Sequence, residues 1–286
     1  MKQIGVDIGG SHITAAQVDL QKGAVIASTL TRAKVHPHGS AEEILSTWSN
    51  TIKEALRGSE DGQIGIAMPG PFDYLTGICL MKNVNKYEAL YGLNIKEELS
   101  ERLGINAHNI VFRNDSEAFL AGEMRFGAGK GFQRGMGITL GTGLGTSIYQ
   151  NDEARDMALG INYQMLDGVA EDYISTRWFV NTYQLKTQKS VEGVKQLVQL
   201  YASEEAVREL FEDFGQNLSS FVHGFIKQFT PEVVVIGGNI ANASEKFFPN
   251  LSQQLSAYQT PIQLRKAILN EEAALLGALG LITGQN

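Results

Sequence analysis

The chain has 286 residues, with 24 Lys and Arg against 31 Asp and Glu, a net charge of −7, 31 glycines and one cysteine. One cysteine excludes a disulfide framework within the chain and a cysteine-built zinc site. Because the charge is acidic and no apolar run approaches the ~20 residues that span a bilayer, we expect no nucleic-acid partner and no membrane partner. The first apolar run contains an acid, which is not typical of a signal peptide, so we expect a soluble cytoplasmic protein.

In the first half, apolar alternation and flanking turn residues predict strands over 3–8, 13–20, 63–68 and 109–113. Ser40 and Glu43 form a capping box in front of a helical period that runs to Leu56. Two further helices are predicted over 88–103 and 116–126.

In the second half, a glycine-dense loop over 127–135 precedes predicted strands at 136–140 and 146–150. A long amphipathic helix is predicted over 204–229, and its aromatic stripe is typical of a core face. A strand over 232–236 ends in Gly237-Gly238, and a last, largely apolar helix is predicted over about 270–282.

One internal repeat relates the two halves. The segment 4–11 (IGVDIGGS) aligns with 136–143 (MGITLGTG) at a constant offset, and each copy reads as strand, glycine turn and strand. The repeat predicts two similar α/β lobes that face one cleft.

The common nucleotide and hydrolase motifs are absent from the chain. Thr146 stands at the third glycine position of a G-x-G-x-x-G match, and Gly131 stands where a P-loop needs Ser or Thr. The sequence contains no G-x-S-x-G and no H-E-x-x-H.

Two glycine turns remain, at Gly9-Gly10-Ser11 and at Gly141-Thr142-Gly143. Backbone N–H groups in such turns form anion sites, and glycine lets a phosphate approach closely. The alternative is two tight hairpins without a ligand. Their equivalent positions in the two halves favour a nucleoside triphosphate.

Two acidic residues, Asp7 and Asp115, are further candidate site residues. Asp7 lies within an apolar strand, where an unpaired carboxylate is costly to bury, and a hydrated Mg²⁺ would account for it. A carboxylate facing solvent is the alternative.

Asn114-Asp115 ends a strand, where a general base for an attacking hydroxyl would lie. Asn114 with Glu117 also reads as an ordinary N-cap, so Asn114 or Ser116 would cap the helix while Asp115 faces the cleft.

These segments resemble, in order, the motifs of the ROK family of sugar kinases. The matching segments are VDIGGS at 6–11, AMPGP at 67–71 with Asp73 and Gly77, Asn83, ND with AGE at 114–123, LGTGLG at 140–145, EDYIS at 171–175 and VIGG at 235–238.

The resemblance implies a two-lobed actin/hexokinase-like ATPase fold, built as a duplicated ribonuclease H-like α/β unit with a cleft between the lobes. The expected small lobe is 1–114 plus 271–286, and the expected large lobe is 115–270. The implied reaction is transfer of the γ-phosphate of ATP to a hexose, at the 6-hydroxyl of glucose or of a related hexose such as mannose, fructose or an N-acetylhexosamine.

The resemblance also assigns roles to residues. Asp115 is the expected general base, and Asp7 is expected to organise Mg²⁺ through water. The sugar contacts are expected at Gly70, Asn83, Asn114, Asp115 and Glu171. The nucleotide contacts are expected at Gly9, Gly10, Ser11, His12, Gly141, Thr142, Gly143, Gly237 and Gly238. Many relatives are dimers, so a homodimer is an expectation.

The sequence departs from the family pattern in three places, one of which is His12, which stands where a Lys is common after the first phosphate motif. The segment 155–171 lacks the C-x-C-G-x-x-G-C zinc motif, so no structural zinc is expected. The family's G-E-x-G-H has no clear match; Asp156 lies near its place and either substitutes or leaves the sugar with fewer contacts. Because of these departures, a catalytically idle sugar-binding sensor is the alternative to a kinase. A ROK-type transcriptional regulator is disfavoured, because only six residues precede Asp7.

Overall fold

The computed structural model describes residues 1–59, 61–256 and 262–279, which divide into two compact units. Unit 1 comprises Met1–Gly127 and the C-terminal segment that begins at Glu271, and unit 2 comprises Ala128–Asn270. The N-terminal boundary lies after residue 127 and not after 114, because the helix over 115–126 packs on the C-terminal helix. None of the helices in the described residues is long and apolar enough to cross a membrane.

Unit 1 contains a six-stranded sheet whose central strands run in the order β3-β2-β1-β5-β8, with β4 paired to β2. Its strands are β1 (Lys2–Ile8), β2 (His12–Asp19), β3 (Ala24–Val25), β4 (Thr31–Lys34), β5 (Gly62–Met68) and β8 (Ile110–Asn114), with a separate hairpin of β6 (Phe72–Asp73) and β7 (Ile78–Cys79). Its α-helices are α1 (Ala41–Leu56), α2 (Ile95–Leu103), α3 (Asp115–Phe126) and α10 (Glu272–Ala278).

Unit 2 contains a five-stranded sheet in the order β11-β10-β9-β14-β15. Its strands are β9 (Gly135–Leu140), β10 (Leu144–Gln150), β11 (Glu153–Asp156), β14 (Val233–Gly237) and β15 (Gln263–Lys266), with a hairpin of β12 (Gln164–Met165) and β13 (Gly168–Val169). Its α-helices are α4 (Leu159–Asn162), α5 (Ala170–Tyr173), α6 (Thr176–Thr187), α7 (Val194–Leu200), α8 (Glu205–Phe229) and α9 (Phe248–Leu255).

The internal repeat corresponds to the same three-strand arrangement in each unit. In unit 1, β1 pairs antiparallel with β2 and parallel with β5. In unit 2, β9 pairs antiparallel with β10 and parallel with β14. In both units the glycine turn therefore lies at the carboxyl end of the strand that occupies the middle of the sheet.

Helix α10 lies directly on α3 in unit 1. A Cβ added at Gly277 would lie 1.8 Å from the carbonyl oxygen of Ala118, so the two helices approach at backbone distance. Ala67, Ala118 and Ala278 form a small buried cluster between these helices and the sheet. Such close approach requires small residues, and it fixes the start of α3, where Asp115 lies.

Several predicted elements are confirmed. The capping box in front of α1 has both of its hydrogen bonds, between the Ser40 hydroxyl and the Glu43 N–H and between the Glu43 carboxylate and the Ser40 N–H. The aromatic stripe of α8 is buried in the core of unit 2. The last predicted helix is confirmed over Glu272–Ala278, and residues 280–282 of that prediction lie outside the described residues.

The helix predicted over 88–103 is wrong in its first half. A short 3-10 turn over Glu88–Leu90 ends before Gly92, whose φ of 80° is left-handed, and α2 starts only after Asn94. The Asn94 side chain accepts hydrogen bonds from the N–H groups of Lys96 and Glu97 and so caps a new helix.

Candidate active site

The first glycine turn closes the β1–β2 hairpin. The Gly9 N–H donates to the His12 carbonyl at 2.9 Å, and a hydrogen bond of 2.9 Å joins the Ser11 hydroxyl to the His12 ring. The Tyr87 hydroxyl donates to the Gly9 carbonyl. A Cβ added at Gly10 would meet no described atom within 4 Å, so packing within the described chain does not require glycine there. A glycine at position 10 lets an anion approach the backbone closely, which is the role predicted for this turn.

Asp7 lies near the end of β1, the middle strand of its sheet. Burial and the charges of Asp115 and Glu271 raise the pKa of Asp7 to about 7, and the Arg32 guanidinium partly opposes this shift. Arg32 also pairs with Glu271 at 2.8 Å. The first predicted phosphate turn and the predicted base therefore lie near the Asp7 carboxylate. The ionised form of this carboxylate is disfavoured in the folded chain.

This arrangement fits a cation that is bound mainly through water. Carboxylate oxygens are the ligands that Mg²⁺ prefers, and Mg²⁺ usually keeps several waters while it binds one or two carboxylates. The described residues contain no group of three or more His, Cys, Asp or Glu side chains that could hold a metal. The role of Asp7 in holding a hydrated Mg²⁺ stays a prediction.

Asn114 and Asp115 occupy the junction between β8 and α3. The Asn114 Oδ1 atom accepts hydrogen bonds from the N–H groups of Ser116 at 2.8 Å and Glu117 at 3.4 Å, so Asn114 is the N-cap. Asp115 Oδ1 also accepts from the Ser116 N–H, at 2.9 Å. The carboxylate of the predicted base therefore lies in the first turn of α3.

The turn after β5 lies beside Asn114. Met68 and Asn114 are paired residues at the ends of β5 and β8. The Tyr74 hydroxyl donates to the Met68 carbonyl at 3.1 Å and accepts from Asn114 Nδ2 at 3.2 Å. A Cβ added at Gly70 would lie 3.3 Å from the same hydroxyl. The structure thus brings two predicted sugar residues, Gly70 and Asn114, together around a tyrosine that the sequence analysis did not single out.

Asn83 is placed differently. It is exposed in the loop after β7, with a left-handed φ of 59°. In the part of the chain that the structure describes, no hydrogen bond joins its side chain to Gly70 or to Asn114. The contact predicted for Asn83 therefore depends on the loop that carries it, and that role stays a prediction.

The second glycine turn, in unit 2, is bound to the segment that carries Glu171. The Gly141 carbonyl accepts from the N–H of Thr176 at 2.8 Å and from its hydroxyl at 2.9 Å. Glu171 Oε2 accepts from the Leu144 N–H at 3.0 Å, and Glu171 Oε1 pairs with Arg177 at 3.1 Å. Residues 171–177 therefore contact both ends of the turn and link a predicted sugar ligand to a predicted phosphate site.

Gly237 and Gly238 lie beside this turn. Gly238 has a φ of 86°, and a Cβ there would lie 2.4 Å from the Leu140 carbonyl oxygen, so the chain leaves β14 in contact with the end of β9. A cavity of about 640 Å³ opens next to these elements. It is lined by Gly141, Thr142, Thr176, Gly193, Val194, Lys195, Val198, Asn239, Ile240, Asn242 and Ala243. The cavity thus reaches from the second glycine turn to the residues that follow Gly238.

The segment that departs from the family pattern is ordered by packing. Tyr163 packs edge-on against Phe221 at 5.3 Å, and Met165 and Ala170 are buried in the core of unit 2. Burial raises the pKa of Asp156, whose Oδ1 accepts the Ala158 N–H at 3.0 Å. Asp156 therefore has a structural hydrogen bond, and its sugar role stays a prediction.

A sequence model of the ROK family matches residues 3–162 and 167–285. The chain belongs to the ROK family. The ROK match is interrupted at residues 163–166, within the segment where the sequence already lacks the zinc motif.

Named relatives and solved ROK structures extend this likeness over the whole chain. A glucokinase from Thermotoga maritima is 28% identical over 99% of this chain and 97% of its own length. An N-acetyl-D-glucosamine kinase from Pectobacterium carotovorum subsp. carotovorum is 24% identical over 96% of each chain. A ROK family glucokinase from Streptomyces griseus, solved in complex with glucose and AMPPNP, is 23% identical, with a TM-score of 0.79 and full coverage of both chains. The likeness confirms the predicted actin-like α/β fold class of the ROK kinases.

Several residues that contact the predicted site were not among the predicted site residues. Tyr87 and Glu271 are brought there by the fold, since each is far in sequence from the residue it affects, Gly9 or Asp7. Tyr74 lies close in sequence to Met68 and Gly70, and only its bond to Asn114 depends on the pairing of β5 and β8. Thr176 and Arg177 follow the EDYIS segment directly, so the strength of that motif match was the available signal for them.

Proposed function

We propose that this ROK protein is an ATP-dependent sugar kinase that transfers the γ-phosphate of ATP to a hydroxyl of a hexose. The observation that carries the proposal is the register of the unit 1 sheet. Asp7 pairs with Ala67 across β1 and β5, and Ala67 pairs with Arg113 across β5 and β8, so the strand ends that carry Asp7 and Asp115 lie at one edge. A candidate base thus lies beside a candidate cation site and beside the first glycine turn. Phosphoryl transfer needs this combination, since it depends on positioning and on charge stabilisation.

In this proposal Asp115 accepts the proton of the attacking sugar hydroxyl. Asp115 is the first residue of α3 and directly follows Asn114, so the proposed base and a sugar-binding side chain are adjacent. Asn114 and the turn at Gly70 bind the sugar beside it, and Asn83 adds a contact from its loop. Glu171 has lone pairs left on both carboxylate oxygens after its bonds to Leu144 and Arg177, so it accepts sugar hydroxyls as well.

Backbone groups of two glycine turns are the proposed phosphate ligands. The turn of Gly9, Gly10 and Ser11, with His12 next to it, binds phosphate oxygens, and so does the turn of Gly141, Thr142 and Gly143. Gly237 and Gly238 lead into the wall of the unit 2 cavity, which takes the adenosine. Asp7 would hold Mg²⁺ through water, and the bound ion would supply neutralisation of the phosphate charge.

Glucose is the first candidate for the sugar. The relatives with full-length similarity carry the names glucokinase and N-acetyl-D-glucosamine kinase, which support a neutral hexose or an N-acetylhexosamine. The 6-hydroxyl is the proposed acceptor, on the strength of the family resemblance.

The test is a panel of sugars. The purified chain is mixed with ATP, Mg²⁺ and glucose, mannose, fructose or N-acetylglucosamine in turn, and ADP is measured together with the sugar phosphate. We expect ADP formation that depends on at least one of the sugars. Clear sugar binding without ADP from any of them would contradict the kinase and would favour a sugar-binding sensor.

A further inference from the structure

The Tyr74 hydroxyl bridges the ends of two neighbouring strands. It donates to the carbonyl of Met68, the last residue of β5, and accepts from the side-chain amide of Asn114, the last residue of β8. Because Met68 and Asn114 are paired across the two strands, one hydroxyl sets the position of both strand ends.

The Tyr74 ring is itself held in place. It packs against Phe72, with ring centroids 5.4 Å apart, and Phe72 packs against Phe112 at 4.9 Å. Phe112 precedes Asn114 by two residues on β8, so both side chains lie on the same face of the strand. The packed rings of Tyr74, Phe72 and Phe112 therefore connect the Tyr74 ring to β8, the strand whose last residue its hydroxyl contacts. This packing orders the hydroxyl before any ligand binds.

The hydrogen bonds of Asn114 define which of its groups a ligand can use. Its Oδ1 atom is committed to the N–H groups of Ser116 and Glu117 at the start of α3. The Nδ2 atom carries two hydrogens, and one of them goes to the Tyr74 hydroxyl. The direction of the second N–H follows from the direction of the first, because the amide group is planar.

We propose that Tyr74 is a positioning residue of the sugar site, which acts through Asn114. By holding one N–H of the Asn114 amide, Tyr74 directs the other N–H to a hydroxyl of the sugar. The Tyr74 hydroxyl also lies near Gly70, where an added Cβ would be 3.3 Å away, so the neighbouring turn lies at the same site. This role rests on the proposed function, in which Asn114 binds the sugar. It predicts that the Tyr74 hydroxyl affects sugar recognition and not nucleotide recognition.

Tyr74→Phe removes the hydroxyl and keeps the ring. A neutral hydrogen bond corresponds to roughly a fivefold change in an equilibrium constant. We therefore expect Tyr74→Phe to raise the KM for the sugar about fivefold, with the KM for ATP unchanged. Tyr183→Phe is the matched control, since the Tyr183 hydroxyl donates to Glu204 at 2.8 Å, and we expect both KM values to stay unchanged in it.

A double-mutant cycle separates positioning from a general structural effect. Asn114→Ser keeps an efficient N-cap but has no amide N–H for Tyr74. If Tyr74 acts through Asn114, Tyr74→Phe has little further effect on the sugar KM when it is combined with Asn114→Ser. Equal effects of Tyr74→Phe with and without Asn114→Ser, or a change in the ATP KM of the same size, would overturn the role. If the unaltered chain turns over none of the sugars, the proposed function is overturned and this role with it.

Discussion

Replacement of Asp7 by Asn should make the ligand-free protein more stable at neutral and alkaline pH. In the folded chain the pKa of Asp7 is raised from 3.8 to about 7, by burial and by the charges of Asp115 and Glu271. Folding therefore disfavours the ionised carboxylate. Asn fills nearly the same space without a charge, so it removes this cost.

The size and sign of the effect follow from the pKa difference. Each pKa unit corresponds to about 1.4 kcal/mol, so the shift of about three units costs up to about 4 kcal/mol once the carboxylate is ionised in both states. Between pH 4 and pH 7 the folded state binds more protons than the unfolded state, so this contribution lowers stability as pH rises. Below pH 4 both states are protonated, and the cost is absent.

The assay is urea unfolding at a series of pH values from 4 to 8, without nucleotide or Mg²⁺. We expect Asp7→Asn to exceed the parent protein in unfolding free energy at pH 8, with a difference that shrinks towards pH 4. Asp19→Asn is a control of opposite sign, since backbone hydrogen bonds from Lys22 and Gln21 lower the pKa of Asp19. If Asp7→Asn is no more stable than the parent protein at pH 8, the raised pKa of Asp7 in the folded chain is refuted.

Two further predictions concern packing in unit 1 and the sugar contact in unit 2. Gly277→Ala should destabilise unit 1 by about 3 kcal/mol or more, because the new methyl group would meet the Ala118 carbonyl; an unchanged thermal midpoint would contradict the backbone contact. Glu171→Gln should raise the sugar KM about tenfold, since hydrogen bonds to a charged group are the stronger ones. Glu153→Gln, which breaks the surface pair with Arg155, should leave the sugar KM unchanged, and equal effects of the two would argue against a sugar role for Glu171.

Local patterns in the sequence were sufficient for much of the fold. The repeat at 4–11 and 136–143 predicted the two hairpins, and the structure adds that each also has a parallel neighbour, β5 or β14. Residues 88–103 show the limit of periodicity. Their apolar spacing continues through Gly92, whereas the left-handed φ of that glycine ends the turn before α2.

The candidate site was predictable where a motif carries the chemistry in adjacent residues. Asp115 and the glycine turns belong to this class, since their neighbours in sequence define them. Tyr74 does not, because its partner Asn114 is 40 residues away and the contact exists only once β5 and β8 are paired. Glu271 is further away still, and only the return of the chain to unit 1 brings its charge near Asp7.

The rate of Asp115→Asn tests the central claim most directly. Asn keeps the size of the side chain and its capacity to accept the Ser116 N–H, but it is not a base. With the best sugar from the panel, we expect kcat to fall by at least ~10², the low end for loss of a general base, while nucleotide affinity is kept. Turnover close to that of the parent protein would contradict the assignment of Asp115 as the base.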